Sequence, residues 1–170
     1  HGVHTTNARR LRNAELARHA LSGACTPFSH ITIDFATPSK VSKLGYRHIF
    51  VAICDFTRFT IILPTVDEIA ETAAHQLCII AGFYRMPSRI RSDRGPAFAS
   101  NLMDAFCKHF NMKQSLTIPH TPETHGNVER AIKEIWRHLS VVIATAVDII
   151  ADNWDLALPT VMSIMNNQDH

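Results

Sequence analysis

A single α/β domain, with a mixed five-stranded sheet of three antiparallel and two parallel strands flanked by helices, is predicted by three observations. Ser29 to Ala36 alternates, with Ile31, Ile33 and Phe35 on one side and Thr32, Asp34 and Ala36 on the other, the two-residue period of a strand. Two more apolar runs, Tyr46 to Cys54 and Phe59 to Pro64, are joined by the turn Asp55-Phe56-Thr57-Arg58, so the first three strands read as an antiparallel meander. After them helical and extended stretches alternate, which is the α/β pattern.

The elements follow in order. Tyr46 to Cys54 is almost wholly apolar, as suits a strand buried on both faces. Asp67 to Phe83 reads as a helix, with Asp67 and Glu68 at the end whose dipole favours negative charge and Gly82 near its close. Arg89 to Ser92 is a short strand that runs into the turn Asp93-Arg94-Gly95-Pro96. Ser100 or Asn101 caps a helix to about Phe110, with Leu102, Ala105, Phe106 and Phe110 on its apolar stripe and Asp104 as an N3 capping acid. Lys113 to Ile118 is the last strand, Pro119 to Gly126 a polar loop, and a long helix runs from about Asn127 past Val142. A final helix spans Trp154 to about Met165. Residues 1–27 offer one candidate short helix, Asn7 to Leu21, and are expected to form an N-terminal linker or remnant, with 28–170 expected to form the main folded domain.

Composition narrows the class. At 170 residues, 46% of them apolar, the chain can bury a core without staples. The nearest candidate for a membrane span, Val141 to Ala151, is too short and carries Asp148. No signal-peptide pattern opens the chain, and its start at His1 suggests an excerpt of a longer protein. A net charge of +2 and a pI of about 8.5 do not by themselves announce a nucleic-acid binder. Basic residues do cluster, in His1 to Ala20 and in Arg85 to Arg94. The four cysteines are scattered without a CxxC pair, and three lie in apolar segments, so a reduced setting without structural disulfides is expected. His1 and His4 lack partnering cysteines, so no intact zinc module is expected.

Three acids stand out by position. Asp34 lies on the less apolar face of its strand, Asp93 just past a strand before a Gly-Pro turn, and Glu129 at the start of the long helix, with 35 residues between it and Asp93. Around them run Ile90-Arg91-Ser92-Asp93-Arg94-Gly95 and Thr121-Pro122-Glu123-Thr124-His125-Gly126-Asn127-Val128-Glu129-Arg130. Here the chain resembles the DDE integrase and transposase family, in particular the integrases of gypsy-type LTR retrotransposons. In that family an Asp-Phe strand, a Ser-Asp-(Arg/Gln/Asn)-Gly turn and a His-Pro-Gln-(Thr/Ser)-Asn-Gly-Gln-Val-Glu-Arg helix start follow one another. The likeness runs through Tyr46 to Pro64 and Glu71 to Phe83, and closes with Trp154, Leu158-Pro159, Asn166-Asn167 and His170. It covers roughly residues 28 to 170 and implies the ribonuclease H-like fold.

The resemblance implies a polynucleotidyl transferase and endonuclease that processes element DNA 3′ ends and joins them to target DNA by in-line attack at phosphorus. Asp34, Asp93 and Glu129 would be both catalytic and metal-binding, holding two Mg²⁺ (or Mn²⁺) ions with Asp34 as the bridge. Such hard ions take oxygen ligands, and a pair about 3.5–4 Å apart activates the attacking oxygen and stabilises the leaving one. On a helical wheel Glu129 lies about 100° from Val128, outside the apolar stripe Val128, Ile132, Ile135, Leu139 and Val142, while Lys133 and Trp136 share its narrow arc. Lys133 is read as a phosphate contact in preference to a surface i,i+4 pair, and Trp136 as packing in preference to base stacking. Arg94, His125, Asn127, Arg130 and Arg137 complete the expected DNA contacts. Asp55 is read as a turn residue without a catalytic role.

Double-stranded DNA, a homodimer or higher multimer, no membrane, and a nuclear location reached through cytoplasmic particles are the partners and setting so implied. The sequence departs from the family at two positions: His125 stands where relatives carry Asn, and Glu123 where they carry Gln. A decayed or domesticated core that binds DNA or protein without catalysis is therefore the alternative. A ribonuclease H-type nuclease is a third, opposed by the Val-Glu-Arg helix start.

Overall fold

The structure is a computed structural model and describes residues 26–117, 122–146 and 153–167, the side chains of 122–125 and 127 excepted. The candidate helix Asn7 to Leu21, the part of the polar loop at Pro119 to Thr121, and Cys25 lie outside the described residues. The elements are β1 (His30–Ala36), β2 (His48–Cys54), β3 (Thr60–Thr65), α1 (Ala70–Phe83), β4 (Arg89–Ser92), α2 (Asn101–His109), β5 (Lys113–Leu116), α3 (Pro122–Thr145) and α4 (Trp154–Asn166).

One sheet in the order β3-β2-β1-β4-β5 carries them. β1 pairs antiparallel with β2, and β2 with β3, while β1–β4 and β4–β5 are parallel. This is the mixed sheet expected from the meander and the alternation after it. β3, which contains Pro64, and the four-residue β5, which opens with Lys113, are its two edges.

The run 46–54 is apolar because β2 faces two cores. Phe50, Ala52 and Cys54 join Ile31, Ile33, Leu77, Ile80, Ile90 and Met103 beneath α1 and α2. Ile49, Val51 and Ile53 join Val128, Ile135, Leu139, Trp154, Leu158 and Val161 beneath α3 and α4. The second face is the one that carries Thr32, Asp34 and Ala36, since strand side chains alternate. Asn166 fastens the end of α4 to the edge of the sheet: its Oδ1 accepts from Thr60 N–H at 2.7 Å and its Nδ2 donates to Thr60 O at 2.8 Å.

Several local expectations are corrected. α1 begins at Ala70, three residues after Asp67. Asp67 instead accepts from the Thr72 hydroxyl, and Glu68 turns elsewhere. α2 is capped by Ser100, which accepts from Met103 N–H at 3.1 Å, but it buries Met103 and Cys107 and leaves Leu102 and Phe110 exposed. Asp104 lies one position beyond N3 and pairs with Lys108 at 2.6 Å. α3 starts at Pro122, because the fixed φ of proline suits a first helical turn; Gly126 therefore sits within the helix and not in a loop.

Asp55 is more than a turn residue. It is buried, accepts from the Thr32 hydroxyl at 2.8 Å, and pairs with Arg91 Nη1 at 3.3 Å. The pair ties β2 through β1 to β4, which no local pattern could reveal. Cys54 and Cys107 are buried free thiols, as their apolar settings suggest, whereas Cys78 is an exposed one. Burial, with Asp104 nearby, pushes the Cys107 thiol up to about 11. Among the described residues no helix is long and apolar enough to cross a membrane.

Candidate active site

Because β1 and β4 are adjacent and parallel, their C-terminal ends lie side by side. Asp34 sits near the end of the first, and Asp93 follows the second by one residue. Asp34 is half-buried, and its Oδ1 accepts from Phe35 N–H at 2.8 Å. Asp93 is exposed, and its Oδ1 accepts from Gly95 N–H at 2.8 Å, an Asx turn that aims the carboxylate.

The turn is anchored on both sides. Phe98 stacks on Phe35 with ring centroids 5.5 Å apart, and Phe35 meets Phe50 edge-on at 5.3 Å. On the other side Gln114 Nε2 donates to Phe98 O at 2.6 Å, and Thr117 N–H and its hydroxyl donate to Ser92 O at 2.9 and 3.0 Å. An aromatic ladder and the neighbouring strand β5 thus hold the two aspartates in fixed relation.

Asp34 and Asp93 border one cavity of about 280 Å³, with Phe35, Phe98 and Glu68 also in its wall. Glu68 Oε2 lies 3.4 Å from His48 Nδ1, which also bonds the Thr37 hydroxyl at 3.0 Å. The sequence reading missed Glu68 here, assigning it to a helix start. The signal was the meander register: Ala36 faces Ile49, and His48 faces Thr65, so residues just after β3 come beside the end of β1.

Glu129 is placed differently. The apolar stripe of α3 seats the helix through Val128, Ala131, Ile135 and Leu139, all buried. Glu129 is exposed and does not border the cavity. Among the described residues no three histidine, cysteine or acidic groups are arranged to hold a metal ion. The structure therefore brings together two of the three expected carboxylates, and the third stands apart from their cavity on α3. Arg94, Arg130, Lys133 and Arg137 lie at the surface, with Arg137 Nη2 3.1 Å from His138 Nε2. The side chains of His125 and Asn127 lie outside the described residues.

The acidic donors at the cavity are all carboxylate oxygens, which suits a hard dication and not a thiophilic one. Asp34 and Asp93 at one opening supply part of an oxygen ligand set of the kind Mg²⁺ or Mn²⁺ takes, and among the described residues no third group is arranged with them to complete it.

The integrase core domain family matches residues 25–122, more than half of the 170-residue chain. The chain belongs to the integrase core domain family. The Pro-Pol polyprotein of simian foamy virus type 3 (strain LK3) is 30% identical over 141 residues, 83% of this chain and 12% of the polyprotein. The Pol polyprotein of Radiation murine leukemia virus (strain Kaplan) is 30% identical over 137 residues, 78% and 22% of the two chains. The Transposon Tf2-3 polyprotein of Schizosaccharomyces pombe is 26% identical over 146 residues, 85% of this integrase core and 11% of that polyprotein. The integrase core thus spans only 10–22% of the length of the first viral polyproteins it matches. Among solved structures, the catalytic core domain of BIV integrase superposes with a TM-score of 0.65 at 22% identity, covering 84% of this chain and 86% of that one. The sheet order and this superposition place the fold in the ribonuclease H-like class expected from the sequence.

Proposed function

We propose that this integrase core is a metal-dependent polynucleotidyl transferase that processes element DNA 3′ ends and joins them to double-stranded target DNA. The observation that carries this reading is the shared cavity of Asp34 and Asp93 at the adjacent ends of two parallel strands. Asp34 and Asp93 would hold Mg²⁺ or Mn²⁺ between them, and Glu129 would add the third carboxylate from α3. Two bound ions would activate the attacking oxygen and stabilise the leaving one.

The chain's own groups have definable tasks. Phe35 N–H and Gly95 N–H fix the carboxylate planes of Asp34 and Asp93 before any ligand arrives. Arg94, Arg130, Lys133 and Arg137 offer surface cations to DNA phosphates, with His125 and Asn127 at the start of α3 as further contacts. The attacking oxygen belongs to water in end processing and to a DNA 3′-hydroxyl in joining, with no covalent enzyme intermediate. A nuclear site of action and assembly into a dimer or larger multimer complete the proposal for 28–170 as the catalytic unit.

The test is joining of an element-end duplex to a target plasmid in Mg²⁺. Glu129→Gln keeps the shape of α3 and should reduce joining to background; a variant that still joins would overturn the assignment. Gly95 offers a subtler test. A Cβ there would lie 2.9 Å from Asp93 Oδ1, so Gly95→Ala must push the carboxylate aside. Misplacing a reacting group by about 1 Å costs on the order of a hundredfold. Joining by Gly95→Ala should fall by about that factor, while the thermal midpoint stays close to that of the parent.

A further inference from the structure

The chain has two tryptophans, and both line one cleft of about 170 Å³, with Lys40, Leu139, Ser140 and Ile143 around them. Trp154 is buried, its indole N–H donating to Lys40 O at 2.8 Å, so its ring is fixed. Trp136 is half-buried, packing inward on the α3–α4 core while its remaining face borders the cleft. Pockets for drug-sized ligands measure roughly 300–1,000 Å³, so this smaller cleft suits a group about the size of a single ring.

Its position gives the ring an identity. Trp136 follows Glu129 by seven residues on the same edge of α3, about 10 Å along the axis. Lys133 lies between them at the surface, and the exposed Lys40 stands at the cleft itself. An aromatic wall in line with Lys133 and the Glu129 carboxylate matches a nucleotide: a base for the indole and a phosphate for Lys133. We propose that the Trp136–Trp154 cleft is a nucleobase site that receives one unpaired base of a DNA strand drawn across α3. The choice of ligand rests on the reading of the core as a DNA-joining enzyme.

The test uses the whole 170-residue chain with divalent metal chelated, so its outcome does not depend on joining. A labelled single-stranded thymidine oligonucleotide is compared with one of equal length whose central positions are abasic. Base–aromatic stacking gives about a tenfold to hundredfold preference for the intact strand, and both indoles report on this cleft, so tryptophan emission should be quenched by that strand alone. Trp136→Leu keeps apolar bulk and should abolish the preference without weakening abasic binding, whereas Trp136→Phe should restore most of it. Equal affinity for the two strands, or a preference that survives Trp136→Leu, would overturn the site. Loss of joining by Glu129→Gln is a separate result and tests the carboxylates alone.

Discussion

Replacing Asp34 with asparagine is expected to remove Mg²⁺-dependent joining by about a thousandfold or more while leaving the fold intact. The substitution is nearly isosteric, and the side-chain amide oxygen it introduces can still accept the Phe35 N–H bond that the carboxylate accepts at 2.8 Å. What is lost is charge at the cavity shared with Asp93. Metal stabilisation of a phosphoryl transition state is worth several kcal/mol, and about 4 kcal/mol corresponds to a thousandfold. A second measurement separates a working site from a decayed one. Metal binding to the parent at a hundred times its dissociation constant should add about 2.7 kcal/mol of stability. Thermal unfolding with and without Mn²⁺ should therefore show a rise for the parent and almost none for Asp34→Asn. If the two proteins respond alike, the core is a binding module and not an enzyme.

The second large effect is on stability. Phe50 is fully buried in β2 and supports Phe35, which in turn stacks on Phe98. Truncation of a core phenylalanine typically costs about 3–5 kcal/mol, so Phe50→Ala should lose about 4 kcal/mol and lower the midpoint by roughly 10 °C. Urea denaturation would read this as a fall in midpoint at unchanged slope. A loss below about 1 kcal/mol would mean that the ladder is not the support described. Because the ladder also carries the Asp93 turn, joining measured well below the midpoint should fall too.

What the sequence made legible was local. Alternation at residues 29–36 placed Asp34, and the Gly-Pro turn placed Asp93, since each depends only on neighbours in the chain. Their meeting was implied by the family resemblance, and it comes about through the parallel pairing of β1 with β4. The helix ends were less legible: α1 starts late because Asp67 bonds Thr72 and Glu68 faces the cavity, both consequences of chain packing. Gly126 looked like a loop residue, yet Pro122 had already started the helix. The apolar stripe of α3 was readable from periodicity, but the distance from Glu129 to the aspartates was not, because it depends on how the helix docks. Asp55 illustrates the same limit. Its partners Thr32 and Arg91 lie 23 and 36 residues away in sequence, beyond any local signal.

The edges of the sheet have a consequence for how copies of this core can meet. An open strand edge is a template on which a second chain can add its own strand, and proteins blunt it with proline, lysine and shortness. β3 carries Pro64, and β5 is four residues long and opens with Lys113. Backbone pairing is thus discouraged at both margins, and the sheet resists growing into a fibre. Any contact between copies of this core would then fall to side chains on its helices and loops, where substitutions can act without disturbing the strands beside Asp34 and Asp93.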